Sequence, residues 1–85
     1  ASLAQNNPNP FNQSTSIRFV IPQESKNAQL VISAMNGTVL KNFLLTNKGE
    51  GMVTVNGNEL ESGNYIYTLF VDGKVIDTRS LVLTK

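Results

Sequence analysis

The chain has 85 residues, which suits one small domain and leaves no room for a second hydrophobic core. Its seven basic and six acidic residues are scattered, without a basic run, so nucleic acid is not an expected partner. Cysteine and histidine are absent, which excludes disulfides, thiolate chemistry, Ser/His nucleophilic catalysis and histidine-ligated metal sites.

The first fourteen residues are rich in asparagine and proline, a composition typical of an irregular lead-in. They lack the apolar segment of a secretory signal peptide. This leaves two interpretations open, a cytoplasmic protein or a piece cut from the end of a longer chain. No apolar run approaches the roughly 18 residues that a membrane-spanning helix needs.

Alternating apolar residues then predict a series of short strands separated by turn signals. Pro22 ends the first strand, and the pairs Asn36–Gly37 and Asp72–Gly73 are signals for tight hairpins because both positions tolerate positive φ. A polar loop is expected over residues 57–63. The predicted strands span residues 15–21, 28–34, 38–45, 52–55, 64–71 and 74–84. Six or seven strands at this spacing predict an all-β protein, a β-sandwich or a small barrel.

The alternation also predicts which side chains form the core. In the last strand the parity of the apolar residues changes, which predicts a β-bulge near Arg79 and Ser80. Both faces of the last hairpin carry apolar residues, so either it is buried on both sides or one face awaits a partner. The predicted core is Ile17, Phe19, Ile21, Leu30, Ile32, Val39, Phe43, Val53, Val55, Tyr65, Tyr67, Leu69 and some of Ile76, Leu81 and Leu83.

Paired carboxylates are the remaining candidates for catalysis. Glu59 and Glu61 lie in a turn-rich loop without the apolar surroundings that would shift their pKa values. Asp72 is a turn former before a glycine, and Asp77 follows in the last strand. The sequence therefore predicts no catalytic residues, no metal site and no cofactor.

Four blocks in order resemble the C-terminal sorting domains, of the type A class, that Bacteroidetes proteins carry for the type IX (Por) secretion system. Residues 9–12 (Asn9, Pro10, Phe11, Asn12) precede a short strand, and Gly37 lies in the middle of a strand–turn–strand block. Gly63 and Tyr65 match a Leu-x-x-Gly-x-Tyr block, and residues 72–85 form a Gly-Lys, basic, apolar ending. Two positions depart from the family: Ala34 replaces a frequent aspartate, and Ser80 stands where a second basic residue is usual.

The resemblance implies an immunoglobulin-like antiparallel β-sandwich of about seven strands with a role in secretion and no enzyme activity. Residues 1–8 would be a tether from an upstream cargo, and residues 9–85 the sorting domain. The expected partners are the outer-membrane translocon, its shuttle and sortase-like components, and the covalently linked cargo. The domain would pass through the periplasm to the cell surface or the extracellular space, and it would be cut off there. Exposed edge strands could also pair two copies into a homodimer.

The last strand is the most plausible recognition element, since a terminal strand at a sheet edge offers unpaired backbone groups. The residues expected to carry recognition are Gly73, Lys74, Thr78, Arg79, Leu81, Val82, Leu83 and Lys85. Structural roles are the simpler interpretation for the other motif residues: a plug for Phe11, core packing for Tyr65 and positive φ for Gly63 and Gly73.

An alternative of another class is an immunoglobulin-like spacer or a carbohydrate-binding accessory module of a secreted hydrolase. A glycan binder should expose aromatic rings on one face or in a groove, whereas a sorting domain need not.

Overall fold

The computed structural model describes all of residues 1–85, and it is a β-sandwich of seven antiparallel strands, as the sequence predicts. One sheet has three strands in the order β1-β2-β5, and the other has four in the order β4-β3-β6-β7. The strands are β1 (Ser2–Leu3), β2 (Ser14–Ile21), β3 (Ala28–Ala34), β4 (Val39–Leu44), β5 (Gly49–Asn56), β6 (Gly63–Val71) and β7 (Lys74–Leu83). A single 3₁₀ turn, Gly57–Glu59, lies in the predicted polar loop. No helix of the structure is long and apolar enough to span a membrane.

The core forms between the two sheets because alternate residues of each strand point inward. Ile17, Leu30, Ile32, Tyr67 and Leu69 are completely buried. Most of the predicted core is confirmed, and Phe43 and Val53 pack at its margin, partly buried. The core also includes residues that the sequence analysis did not assign to it: Leu3, Phe11, Ala28 and Val71.

Val39 does not belong to the core, contrary to prediction, and of the three candidates in β7 the core includes Leu81 and Leu83 but not Ile76. Val39 is 60% exposed and Ile76 38% exposed. Between β3 and β4 the register skips Leu40, so that Val39 pairs with Ser33 and faces outward. Between β6 and β7 it skips Ile76, so the bulge lies at Ile76 and not at Arg79–Ser80. From Asp77 onward the odd-numbered residues of β7 therefore face inward.

The two predicted tight turns differ from each other. At Asp72–Gly73 both residues have positive φ (51° and 79°), and Val71 pairs with Lys74, as expected for a two-residue hairpin loop. At Asn36–Gly37 only Gly37 has positive φ, 93°. The Gly37 N–H donates to the Ala34 carbonyl (2.9 Å) and the Ala34 N–H to the Thr38 carbonyl (2.8 Å). This turn is a three-residue loop ending in a glycine bulge.

The N-terminal lead-in is packed on the sandwich, although residues 1–8 are expected from sequence to be a tether. Leu3 is 3% exposed and pairs with Phe19. Asn6, also 3% exposed, donates from its side-chain amide to Thr15 Oγ1 (3.1 Å) and the Pro8 carbonyl (3.2 Å). The local sequence pattern could not indicate this packing, because it also depends on distant strands: the Asn6 N–H donates to the Tyr67 hydroxyl, 61 residues away.

A glycine makes room for an aromatic ring in the three-stranded sheet. Gly51 pairs with Phe19, and a Cβ added to Gly51 would lie 2.5 Å from Phe19 Cε1. We expect Gly51→Ala to lower the free energy of unfolding by about 1–3 kcal/mol through overpacking. Urea denaturation measures this loss. In a Phe19→Leu background, which removes the ring, the same substitution should cost less; an equal cost would contradict the steric explanation.

Candidate recognition strand

Strand β7 lies at the edge of the four-stranded sheet and pairs with β6 alone. This confirms the edge position expected of a terminal strand. The hairpin that starts it is fixed at Asp72, whose Oδ1 accepts hydrogen bonds from the N–H groups of Lys26 and Asn27, both 2.8 Å. The Asp72 N–H donates to the Asn27 carbonyl (2.8 Å). The turn is thereby attached to the loop between β2 and β3.

The bonds from Asn27 and Lys26 lower the pKa of the Asp72 carboxyl below its ordinary value. Because the charged form is favoured in the folded state, its contribution to stability is present at neutral pH and is lost as pH falls below about 4. We expect Asp72→Asn, which keeps an acceptor oxygen and tolerates positive φ, to lose less stability than the parent between pH 5 and pH 3. Urea midpoints at the two pH values measure this. Glu24→Gln, which removes one charge at an exposed position, is the control, and equal losses in parent and Asp72→Asn would contradict the assignment.

The inward positions of β7 contribute to the core. Leu81 is 0% exposed and Leu83 1% exposed, so neither side chain is available to a partner while the domain is folded. Arg79 is bonded within the molecule although 39% of its side chain is exposed: its Nε donates to the Leu3 carbonyl (2.9 Å) and lies 3.4 Å from Asp77 Oδ2.

The outward and terminal positions of β7 are accessible. Lys74 and Thr78 are exposed, and Val82 is half-buried. The Thr78 hydroxyl lies 3.3 Å from that of Thr68 on the neighbouring strand. Lys85 is exposed and its Nζ donates to the Leu60 carbonyl (2.5 Å). The predicted recognition residues therefore separate into an accessible group and a group that holds the fold.

Part of the β7 edge is covered by the chain itself. Residues 3–11, which we name the N-terminal strap, run along its second half. Gln5 Nε2 donates to the Ser80 carbonyl (2.7 Å), and the Val82 N–H donates to Asn9 Oδ1 (3.0 Å). At the end of the strap the Phe11 N–H donates to the Val82 carbonyl (3.0 Å), and the Phe11 carbonyl accepts from the Thr84 N–H (2.8 Å). The strap leaves uncovered the part of the edge near the Asp72–Gly73 turn.

The other motif residues have structural positions. Phe11 is 2% exposed and forms a parallel bridge with Leu83, which is the plug predicted from sequence. Pro10 and Asn12 are exposed. Tyr65 is 8% exposed, and its hydroxyl donates to the Glu61 carbonyl. Gly63 has a φ of 154°, so the positive φ predicted for it is observed.

Three of the four carboxylates considered for catalysis bond other groups of the fold. Glu59 pairs with Lys41 (2.5 Å), and this hydrogen bond lowers the pKa of its carboxyl. Asp72 is used in its turn, and Asp77 lies beside Arg79. No group of three or more acidic side chains is placed to hold a metal ion.

The structure also lacks a surface on which sugar rings could stack. Tyr65, Tyr67, Phe11 and Phe19 are buried. The other two rings, Phe43 and Phe70, are half-buried and lie on opposite faces of the four-stranded sheet. No row of exposed aromatic rings is present for a glycan.

The outward face of the four-stranded sheet carries no charged residue. Its row nearest the Asp72–Gly73 turn consists of Leu44, Gln29, Phe70 and Val75. Leu44 and Val75 are 76% and 60% exposed, and Leu44, Gln29 and Phe70 line a depression of about 390 Å³. The remaining outward positions are Val31, Asn42, Thr68, Thr78, Val39, Ser33, Ile66, Ser80, Asn64 and Val82.

A family model described as "Secretion system C-terminal sorting domain" matches residues 7–83. The match begins inside the N-terminal strap and ends at the last residue of β7. Searches of curated proteins and of solved structures gave no match.

Proposed function

We propose that the type IX secretion machinery recognises the last hairpin of this chain, β6 and β7, in its folded state. The chain belongs to the family of secretion system C-terminal sorting domains. The domain is a C-terminal sorting signal that brings the protein attached to it to the cell surface or the extracellular space. Its family is not a family of enzymes.

The observation that supports the hairpin is that β7 pairs with β6 alone and that the strap covers only the second half of its other edge. Unpaired backbone groups and ordered side chains at a sheet edge suit recognition by another protein. The Asp72–Gly73 turn fixes the register of β7, so Lys74, Thr78 and Val82 meet a partner in a defined order.

The predicted recognition residues act in two ways under this proposal. Lys74, Thr78, Val82 and Lys85 contact the partner, and the two lysines orient the encounter by their charge. Gly73, Leu81, Leu83 and Arg79 act through the fold: the glycine forms the turn, the leucines fix β7 in the core, and Arg79 ties β7 to the strap.

The partners that we propose are the outer-membrane translocon, its shuttle and its sortase-like components. The domain folds in the periplasm, and the sortase-like protease cuts it from its cargo at the surface. Cutting within residues 1–8 requires this segment to detach locally, because Leu3 and Asn6 are buried and a protease binds extended, accessible chain.

The test is export of a reporter that carries its own inner-membrane signal peptide and is fused to residues 1–85. In a type IX-competent bacterium we expect the parent fusion at the surface. Lys74→Glu with Lys85→Glu should reduce surface reporter about tenfold, the equivalent of about 1.4 kcal/mol of recognition. Exposed charges carry little stability, so the melting temperature should change by a few degrees at most.

The matched control combines Arg18→Glu with Ser14→Glu and Thr54→Glu, which makes the same change in net charge at three exposed positions on the outward face of the other sheet. It should be exported as well as the parent. A parent fusion that stays in the periplasm would refute the sorting role of this chain. Equal loss in both charge-altered variants would show that net charge, and not β7, is read.

A further inference from the structure

The absence of charge from the outward face of the four-stranded sheet needs an explanation. Thirteen of the 85 residues are charged, yet none of the fourteen outward positions in the paired rows is. A solvated face of an antiparallel sheet usually alternates apolar-in with polar-out. The outward face of the other sheet follows that rule, since Arg18 and Glu50 lie on it beside Val20 and Met52.

The face is also apolar in part. Half of its positions are aliphatic or aromatic, and the rest are serine, threonine, asparagine and glutamine. Depletion of charge with retention of apolar and neutral polar groups is the composition of an interface core. Its most exposed large residues are Leu44, Val39 and Val75, and none of them is covered by another part of the chain.

The area of this face distinguishes a permanent dimer partner from a transient binding partner. Strands lie about 4.8 Å apart and same-face residues recur about every 6.8 Å, so the fourteen positions cover a footprint of roughly 460 Å². A stable dimer buries about 800 Å² on each subunit. The footprint is little more than half of that, which fits a contact that forms and is released rather than a permanent pair of copies.

We propose that this face is a transient docking surface for an uncharged, apolar-rich protein surface of the secretion machinery. The proposal rests on the proposed function. The face includes the accessible outward positions of β7, among them Thr78 and Val82, and extends them across β6, β3 and β4. The depression between Leu44 and Phe70 accepts one apolar side chain of the partner.

The experiment places charge on the face in the reporter fusion of residues 1–85. Val75→Lys with Thr78→Lys changes two exposed positions of β7. The two lysines should weaken docking, because charged residues are depleted from the core of a protein interface. We expect surface reporter to fall at least tenfold, with the same melting temperature within a few degrees. The matched control is Val20→Lys with Thr54→Lys, an exposed valine and threonine on the outward face of the other sheet, and it should be exported like the parent.

Four outcomes would overturn the inference. If the parent is exported and Val75→Lys with Thr78→Lys is exported equally, the face is not read, while the sorting function stands. If the control pair fails to the same extent, added positive charge and not this face is responsible. If sedimentation shows the parent to be a dimer that the face pair dissociates without loss of export, the occupant is a second copy. A parent that is not exported refutes the proposed function itself, and this inference with it.

Discussion

Replacing Tyr67 with alanine is expected to lower the free energy of unfolding by about 3–5 kcal/mol, as for other large buried aromatic residues. Tyr67 is completely buried and pairs with Ile32 on one side and Arg79 on the other. A domain of this size has a total stability of roughly 5–10 kcal/mol. The loss is therefore roughly half of the total, and urea denaturation measures it.

The hydroxyl of Tyr67 has a separate role. It accepts a hydrogen bond from the Asn6 N–H and donates one to the Ala4 carbonyl, both 2.8 Å. Tyr67→Phe keeps the ring and removes both bonds, so we expect it to cost about 1–3 kcal/mol and to loosen the strap. Faster hydrogen exchange at Asn6 and Asn7 than in the parent would show this. A Tyr67→Phe variant as stable as the parent would contradict the role of the hydroxyl, while Tyr67→Ala tests the ring.

Alkaline pH gives an independent check on the same group. Burial raises the pKa of the Tyr67 phenol above its ordinary value. The folded state therefore holds the proton more tightly than the unfolded state, and stability is lost as pH rises above about 10. Tyr67→Phe lacks this group, so its stability should fall less steeply over that range than that of the parent.

Strands β2 to β7 could be predicted from sequence because each is specified by local signals, whereas β1 lies in the segment predicted to be a tether. Alternation in β2 and β6 and the turn residues beside them define both bounds and faces. The Asp72–Gly73 turn is predicted correctly for the same reason, since its conformation depends on two adjacent residues.

The predictions are wrong where one extra residue in a strand reverses the face to which the following side chains point. The irregularities at Leu40 and Ile76 turn Val39 outward and place Leu81 and Leu83 in the core. A bulge is set by how a strand meets its neighbour and not by its own composition. The sequence of β7 indicates that a bulge exists but not where it is.

The sequence allows β7 to be identified as the candidate site, but it does not show which part of this strand is covered or which residues share a face with it. Its place at a sheet edge follows from the chain order and from the family, whereas the strap that covers half of that edge depends on contacts such as Arg79 with Leu3, 76 residues apart. The uncharged outward face is likewise invisible in the linear sequence. Its residues come from four strands and share a side only once the register is known.

The strap gives the second large expected effect, for Phe11→Ala. Phe11 is 2% exposed. Its N–H donates to the carbonyl of Val82 in β7, and its carbonyl accepts from the N–H of Thr84, one residue beyond β7. Truncating the ring leaves a cavity at the end of the sandwich, and we expect a loss of about 3–5 kcal/mol in the free energy of unfolding. Phe11→Leu, which fills part of the cavity, should cost less, and Gln5→Ala, which removes one exposed hydrogen bond of the strap, should cost the least.

The same variant tests whether the strap protects the domain from self-association. Exposed strand edges pair with one another unless they are covered, and loss of the Phe11 anchor uncovers the second half of β7. We therefore expect Phe11→Ala to form dimers or larger species at concentrations at which the parent sediments as a monomer. Phe11→Leu is the control, because it keeps an apolar anchor for the strap. If Phe11→Ala stays folded and monomeric, the strap is not what blocks edge pairing. If the parent itself dimerises and Phe11→Ala does not, the strap is part of the dimer contact, which is the reverse of protection.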